Sequence, residues 1–240
     1  RRGEPVRRDR LEIWCALESA GKEIPTLNAG ASAALLELGT DYVWLTSPAN
    51  AEPPVADRVE ERILQLLEAR DQWHLEALVA ALYESFNGIL SPDPAIVEAC
   101  LDSYARRLPE GTLQLRVESE PGNRRAQAQR ITGEIKQLGA RLGYRILPRL
   151  RPDIIWRERG QRVYAWRCSA TGVLTPHLLK SPPPSDGYRC LVIPDSHADL
   201  VQLKLDRDPR LRAVAEEDHW TFVKFGQVGH MVRELRAPED

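Results

Sequence analysis

The sequence predicts an α+β protein whose second half is of the α/β type. Residues 55–108 hold three segments with apolar residues at i, i+3, i+4 and i+7, the spacing of amphipathic helices. Residues 124–236 alternate between helical and strand-like patterns, which favours a mixed sheet with helices on both faces. The chain has 240 residues, of which 42% are hydrophobic and 28% charged, so it can form two modest domains with real cores.

The composition also argues against several classes of protein. No apolar run reaches the roughly 20 residues of a membrane helix and no leader-like segment opens the chain, so we expect no membrane partner. The four cysteines, at positions 15, 100, 168 and 190, are too widely spaced for a C-x-x-C metal site and too few for a disulfide framework. They indicate reduced thiols in a cytoplasmic protein without zinc. Because the chain starts at Arg1 and its single methionine is Met231, we expect a piece of a larger protein.

Residues 1–50 form the first predicted segment, and their pattern indicates no particular fold. Apolar spacing predicts a helix over 8–20 and a short helix over 30–38, and a strand follows over 41–46. The polar, proline-rich stretch 47–54 then predicts a linker. We interpret the segment as the tail of a domain that is missing from this chain.

Residues 51–123 form the second predicted segment. Three amphipathic helices are expected over 55–70, 74–86 and 95–108, the last with Asp93 as its N-cap and Pro94 in its first turn. A strand is expected over 112–117. Three short helices followed by a β-ribbon resemble the winged-helix domain.

The charges of the third helix bear on what such a domain would contact. A winged helix that reads DNA presents cations or amides on this helix. Here Asp93, Glu98 and Asp102 dominate, and Arg106 and Arg107 stand only at its end. We therefore expect the acidic 52–123 region to contact a protein partner rather than DNA.

Residues 124–240 form the third predicted segment, an α/β domain. The expected elements are a basic helix over 124–142, strands over 144–148, 153–158 and 162–170, a short helix over 173–180, a strand over 188–194, helices over 198–205 and 209–217, a strand over 220–225 and a final helix to about 236. A tight hairpin around Arg159, Gly160 and Gln161 joins the second and third strands.

Charge is distributed unevenly along the chain. The net charge is −2 overall, but residues 52–123 carry −8 and residues 124–180 carry +10, with only Glu134, Asp153 and Glu158 as acids in the latter. Clustered arginine supplies the sequence-independent phosphate attraction of nucleic-acid binding. If the protein binds nucleic acid, we expect DNA or RNA to contact residues 124–180.

Within the third segment, Pro152 and Asp153 stand at the start of the second strand. A helix, a three-strand meander, a helix and a strand in this order resemble the core of the restriction-endonuclease-like, or PD-(D/E)XK, nucleases over residues 124–225. The resemblance implies that Asp153 and Glu134, on the first helix, stand where the family binds Mg²⁺. By themselves, Asp153 is also typical of a turn after proline, and Glu134 of a solvated helix surface.

The family's acid and lysine on the third strand are replaced. Side chains that share a face with the expected acid and lysine positions are Arg167 and Ser169, so the motif becomes Arg-Cys-Ser. Arg167 would place a cation about where the family holds a metal, and we expect it to pair with Asp153 or to reach a phosphate. The resemblance therefore implies a degenerate active site with no resident metal.

Three functions remain open from the sequence. The first is a catalytically inactive, nuclease-like DNA-binding module of a larger bacterial DNA-processing, modification or defence protein. The residues expected to bind nucleic acid are Arg124, Arg125, Arg130, Arg141, Arg145, Arg149, Arg151 and Arg167. The second is a protein-interaction or scaffold module in which these arginines pair with the acidic segment. The third is an active Mg²⁺ nuclease that uses Asp153, Glu134 and a further ligand.

The C-terminal part of the chain bears on the first of these functions. Two stretches near the end of the chain resemble, in their general residue pattern, C-terminal regions of large bacterial DNA-modification and defence proteins. They are residues 197–209 (HADLVQLKLDRDP) and 220–225 (WTFVKF). This resemblance implies that the chain works as part of a larger assembly on DNA.

Overall fold

The structure is a computed structural model that describes residues 6–11, 13, 35–38, 40–45, 53–86, 92–147, 154–180 and 187–234. These residues form an α+β fold, as the sequence predicts, and their strands form three sheets. Among them, no helix is both long enough and apolar enough to cross a membrane.

A small antiparallel sheet lies near the N-terminus. It consists of β1 (Val6–Arg7), β2 (Leu35–Leu38) and β3 (Tyr42–Leu45), in the order β1-β3-β2. The predicted strand over 41–46 is confirmed, but the prediction of a helix up to residue 38 is wrong. Leucine and glutamate favour helix locally, yet pairing with the β-prone partner strand β3 overrides that preference. Residues 8–11 are helical as predicted, and residues 14–34 lie outside the described part.

The next region begins with α1 (Val55–Ala69), β4 (Trp73–His74) and α2 (Leu75–Glu84). It continues with α3 (Pro94–Tyr104), β5 (Ala105–Arg107) and β6 (Thr112–Leu115). The three strands form an antiparallel sheet in the order β4-β6-β5.

All three helices predicted here are present, and the N-cap of α3 is confirmed. The Asp93 side chain accepts a hydrogen bond from the Ala95 backbone N–H at 2.9 Å, and Pro94 stands in the first turn. The helix is shorter than predicted and ends at Tyr104, because the following residues pair with β6 as strand β5. The core is built from the inward sides of the three helices, with Trp73 and Leu113 from the sheet.

The third region begins with the long helix α4 (Pro121–Arg141), three residues before the predicted start. Five strands follow in a mixed sheet: β7 (Arg145–Leu147), β8 (Ile154–Glu158), β9 (Gln161–Cys168), β10 (Tyr188–Ile193) and β11 (Trp220–Lys224). The order is β11-β10-β9-β8-β7, with β7, β8 and β9 antiparallel and β9, β10 and β11 parallel.

The predicted hairpin between β8 and β9 is confirmed. Arg159 and Gly160 both have positive φ, 48° and 86°, and Glu158 pairs directly with Gln161. A two-residue loop with positive φ at both positions matches the right-handed twist of the strands that it joins.

Helices cover both faces of the five-stranded sheet, as predicted. Helices α4 and α8 (Phe225–Glu234) pack on the face that carries Trp156, Trp166 and Val192. Helices α5 (Thr175–Leu178), α6 (Ala198–Arg207) and α7 (Pro209–Glu217) adjoin the opposite face, on which Leu191 and Ile193 lie. Alternate residues of β10 therefore contribute to two separate cores.

Helix α6 also joins the helical region to the α/β region. Its Leu200 belongs to the core formed by α1, α2 and α3, whereas Val201 packs in the core of the sheet. One helix thus supplies both cores.

Candidate nucleic-acid interface

The positions at which the sequence resembles a nuclease site are only partly described. Asp153, with Arg149 and Arg151, lies outside the described residues, so the expected contact between Asp153 and Arg167 stays a prediction. Arg167 is half-buried on β9, where it pairs in register with Leu191 of β10. It therefore lies on the face opposite α4.

Ser169 stands immediately after β9 and organises a turn. Its backbone N–H donates to the Val192 carbonyl at 2.8 Å, and its hydroxyl donates to the Thr171 carbonyl at 2.7 Å. The same hydroxyl accepts a weaker hydrogen bond from the Thr171 N–H at 3.3 Å. These contacts continue the strand pairing and close the turn, which a serine hydroxyl does well and a lysine cannot.

Glu134 lies on α4 and forms an ion pair one helical turn away. Arg130 Nη1 is 2.6 Å from Glu134 Oε1, whereas the buried Oε2 has no hydrogen-bond partner among the described residues. An i, i+4 pair of this kind is a common feature of helix surfaces. Within the described parts of the chain, no three histidine, cysteine, aspartate or glutamate side chains lie close enough together to hold a metal ion.

The predicted nucleic-acid-binding arginines of α4 and β7 fall into two groups. Arg125, Arg130, Arg141 and Arg145 are exposed. The Arg124 side chain is only 17% exposed and contacts Glu68 at the C-terminal end of α1. Arg124 therefore ties α4 to the helical region, while the other four lie on the surface.

The outward side of α4 is strongly cationic. Ile131, Ile135 and Leu138 face the sheet, and the exposed positions include Arg125, Arg130, Lys136 and Arg141. At about 1.5 Å per residue, the basic positions from 125 to 141 extend over about 24 Å.

A second cationic feature crosses the sheet on the face opposite α4, because Arg145 and Arg157 alternate with Ile146 and Trp156, which face the helix. Arg145 of β7 pairs in register with Arg157 of β8, and Arg157 pairs with Arg162 of β9. Like charges directly opposite on neighbouring strands repel each other, and Arg157 Nη1 donates a hydrogen bond to the Gly160 carbonyl at 3.0 Å. We call Arg145, Arg157 and Arg162 the arginine row. Sequence reasoning missed its last two members because a β-bulge shifts the register beyond Trp156.

The positive charges of the same region affect the pKa of a buried arginine, Arg189. Burial lowers the pKa of Arg189, and the positive charges of Arg162 and Arg167 lower it further, while Asp218 at 2.5 Å opposes the change. Arg162 and Arg167 thus lie close enough to Arg189 to repel it. The cationic potential of β9 therefore extends along the strand.

The most tightly buried charges in the described structure lie elsewhere, at the junction of the helical and α/β regions. Lys204 of α6 has its Nζ 2.6 Å from Asp57 Oδ1 and also contacts Glu60 Oε2, and all three side chains are fully buried. Asp57 accepts hydrogen bonds from the Leu174 N–H and from the Thr175 N–H and hydroxyl, the last at 2.5 Å.

The two carboxyl groups of this cluster differ in pKa. Burial pushes both pKa values upward, but Lys204 and the hydrogen bonds from Thr175 hold the pKa of Asp57 below its usual value. For Glu60 the effect of burial prevails, with help from the charge of Asp57, and its pKa is raised. The Tyr104 hydroxyl donates a hydrogen bond to Glu60.

This buried cluster could have been found in the sequence, because Glu60 and Lys204 lie on the apolar stripes of their helices. Residues Val59, Ile63 and Leu64 surround the first in α1, and Leu200 and Val201 stand one turn before the second. With no exposed surface, the cluster has no access to a substrate. We interpret it as a buried ion-pair cluster that holds the helical and α/β regions together.

Comparison with known proteins adds no relative to this picture: no protein-family model matches the chain, and no curated protein matches its sequence. The geometry of the described residues therefore carries the functional argument.

Proposed function

We propose that this chain is a catalytically inactive, restriction-endonuclease-like module that binds nucleic acid through its phosphate backbone, as part of a larger bacterial DNA-processing, modification or defence protein. The observation that carries the proposal is the cationic outer side of α4, on which Arg125, Arg130, Lys136 and Arg141 are exposed. The arginine row adds positive charge on the opposite face of the sheet. Glu134 is the acid on α4 nearest this surface, and Arg130 neutralises it.

The dimensions of this surface suit a polyanion. Its length of about 24 Å equals the rise of roughly seven base pairs at 3.4 Å each. Phosphate contacts position a duplex without reading its sequence, so we expect binding that depends weakly on base order.

The absence of cleavage is proposed from the motif and from the environment of its residues. Arg167 replaces the family's acid, and Ser169, in the lysine position, has its hydroxyl engaged in a turn. A magnesium ion requires converging carboxylates, and a guanidinium at the same place opposes it electrostatically. The order of helix, meander, helix and strand around the mixed sheet supports the resemblance to the nuclease core.

For the region 51–123 we propose a winged-helix-like domain that docks a protein. Its element order and the β4-β6-β5 sheet support this reading. Glu98 and Asp102 on α3 are exposed, and Arg107 at the helix end contacts Glu98. A third helix with this charge repels phosphate. We therefore expect nucleic acid to contact α4 and a protein partner to contact the acidic helices.

Charge reversal on α4 tests the proposed binding surface. The double variant R125E/R141E should weaken retardation of a duplex by at least about tenfold, because each change removes a phosphate contact and adds a repulsion. Arg212→Glu is the matched control, since Arg212 is exposed on α7 and pairs with Asp206 at 2.5 Å. A loss for Arg212→Glu in proportion to its smaller charge change, one reversal against two, would argue for general charge rather than this surface.

The same experiment separates the alternative functions. If R125E/R141E breaks association with a partner protein and leaves DNA affinity untouched, the chain is a scaffold, as the contact between Arg124 and Glu68 would favour. Incubation with Mg²⁺ or Mn²⁺ tests the remaining alternative. We expect no cleavage, whereas cleavage that Asp153→Ala abolishes would identify an active nuclease.

A further inference from the structure

The five-stranded sheet ends on one side in a strand that has a single neighbour among the described strands. Strand β11 pairs in parallel with β10 and stands at the edge of the order β11-β10-β9-β8-β7. Thr221 and Lys224 of this strand are exposed. The Lys224 N–H donates to the Gln227 side chain at 2.8 Å, and the other outward N–H and C=O groups of the edge are available to a further strand.

The composition of β11 favours such pairing. The strand has five residues, Trp-Thr-Phe-Val-Lys, without proline or glycine, and it pairs with β10 in unbroken register. The opposite edge strand, β7, has only three residues and begins with the exposed Arg145. Short length and charged side chains are common means of protecting an edge, and in β11 the only charge is Lys224 at its end. Of the two edges, β11 is therefore the one suited to a further strand.

An open groove flanks β11 on each face of the sheet. Thr221 and Val223 line a groove of about 840 Å³ on the face that α8 covers. Trp220 and Phe222 line a groove of about 560 Å³ on the opposite face. Because side chains alternate along a strand, an added strand would place its side chains in the two grooves by turns.

The sequence of β11 is complementary to itself in the antiparallel direction. Two copies that pair about a two-fold axis at Phe222 place the two phenylalanines opposite each other. Thr221 then lies opposite Val223, and Trp220 lies opposite Lys224. Aromatic pairs and pairs of β-branched residues are favourable across antiparallel strands. This register pairs the whole strand, whereas moving the axis by one residue leaves the strand only partly paired.

The charges beside the strand fit the same arrangement. Glu216 of α7 lines the groove that contains Trp220. Glu216 and Lys224 are both exposed, and neither forms an ion pair with another described residue. Arg212, which lines the same groove, pairs with Asp206 at 2.5 Å. Because Lys224 and Trp220 share a face of the sheet, the two-fold arrangement directs Lys224 of each copy towards Glu216 of the other.

We propose that β11 is a dimer interface at which a second copy of this chain adds its own β11 in the antiparallel direction. The two sheets then join into one sheet of ten strands. Such an interface uses the same surface of both copies, so each contact occurs twice. The association needs no nucleic acid, and it is therefore independent of the proposed function.

Sedimentation velocity of the full chain without nucleic acid, from about 1 to 100 μM, tests this interface. We expect a monomer–dimer equilibrium. Lys224→Glu should raise the dissociation constant of the dimer at least about tenfold, because it turns two symmetry-related attractions into repulsions. Glu216→Lys should have an effect of similar size for the same reason. The double variant K224E/E216K should restore the dimer, since it exchanges the two charges.

Glu217→Lys is the matched control, because Glu217 is exposed beside Glu216 but does not line the groove. It should leave the dissociation constant within about twofold of the unchanged chain. A chain that stays monomeric throughout would overturn the proposal, as would a dimer that neither single variant weakens. Weakening by both single variants without recovery in K224E/E216K would equally overturn the antiparallel register.

Hydrogen exchange supplies a second readout that depends on no variant. It is measured by mass spectrometry at protein concentrations below and above the dissociation constant. Pairing predicts slower exchange at the higher concentration for the β11 amides that face away from β10, with unchanged exchange in β7. Equal exchange of β11 at both concentrations would contradict pairing at this edge.

Discussion

Replacing Lys204 by methionine should destabilise the protein strongly, because it leaves two carboxyl groups without their cation in a site closed to water. Lys204 Nζ lies 2.6 Å from Asp57 Oδ1 and 3.0 Å from the Gly172 carbonyl, and it contacts Glu60 as well. All three side chains have no exposed surface. Removing one partner of such a buried pair costs about 3 to 5 kcal/mol.

Against a total stability of about 5 to 15 kcal/mol, this loss should lower the melting temperature by roughly 10 °C. The assay is urea unfolding followed by tryptophan fluorescence, with thermal unfolding as a check. The triple variant D57N/E60Q/K204M should be more stable than Lys204→Met alone, because it leaves no charge buried without a partner. Lys136→Met, at an exposed position of α4, should change the free energy of unfolding by less than about 0.5 kcal/mol.

The reasoning would be refuted if Lys204→Met unfolded within about 1 kcal/mol of the unchanged chain. That result would mean that water reaches Asp57 and Glu60, or that both carboxyl groups are already neutral. A triple variant less stable than the single one would instead mean that the charges themselves hold the two regions together.

Two further predictions concern the packing of α4 on the sheet and the pH dependence of stability. Gly139→Ala should destabilise by about 1 to 3 kcal/mol, because a Cβ would lie 2.5 Å from the Trp156 ring, whereas Gly133→Ala in the same helix should stabilise by about 0.5 to 1 kcal/mol. Burial, and then nearby cations led by Lys204, lower the pKa of His197 to about 3, so the fold favours the neutral imidazole. The contribution of His197 to the free energy of unfolding is therefore fully present above pH 6.5 and is lost as the pH falls towards 3. At pH 5 the loss is about 2 kcal/mol.

The controls for these predictions use neighbouring or equivalent residues. Urea unfolding of both glycine variants should give shifts of opposite sign, and shifts of the same sign would contradict the close packing of α4 on the sheet. His197→Gln should flatten the loss of stability between pH 6.5 and pH 4, whereas His74→Gln, at an exposed position, should leave it unchanged. An unaltered acid profile for His197→Gln would show that other groups govern acid unfolding.

Local patterns predicted most of the elements, because each depended on residues close in sequence. The helix α4 follows from the spacing of Ile131, Ile135 and Leu138, and the hairpin follows from Gly160 between two strand-like runs. The strand β2 was predicted as a helix because its residues favour helix on their own. Only its pairing with β3, a tertiary contact, decides the outcome.

The site was less predictable than the fold. The arginine row depends on the register of three strands and on a bulge, which no single segment encodes. The contact between Asp57 and Lys204 joins residues 147 positions apart. In each case the charged residue can be recognised in the sequence by its unusual position. Its neighbour, however, can be identified only in the folded chain.

The salt dependence of nucleic-acid affinity tests the central claim most directly. Four exposed cations on the outer side of α4, Arg125, Arg130, Lys136 and Arg141, form the surface that is expected to contact phosphates. If all of them displace counterions, a plot of the logarithm of the association constant against the logarithm of the salt concentration should have a slope of about −3 to −4. R125E/R141E should lower the steepness by roughly two units. No binding to duplex or single strands at micromolar protein in about 50 mM salt, or a slope near zero, would contradict the account.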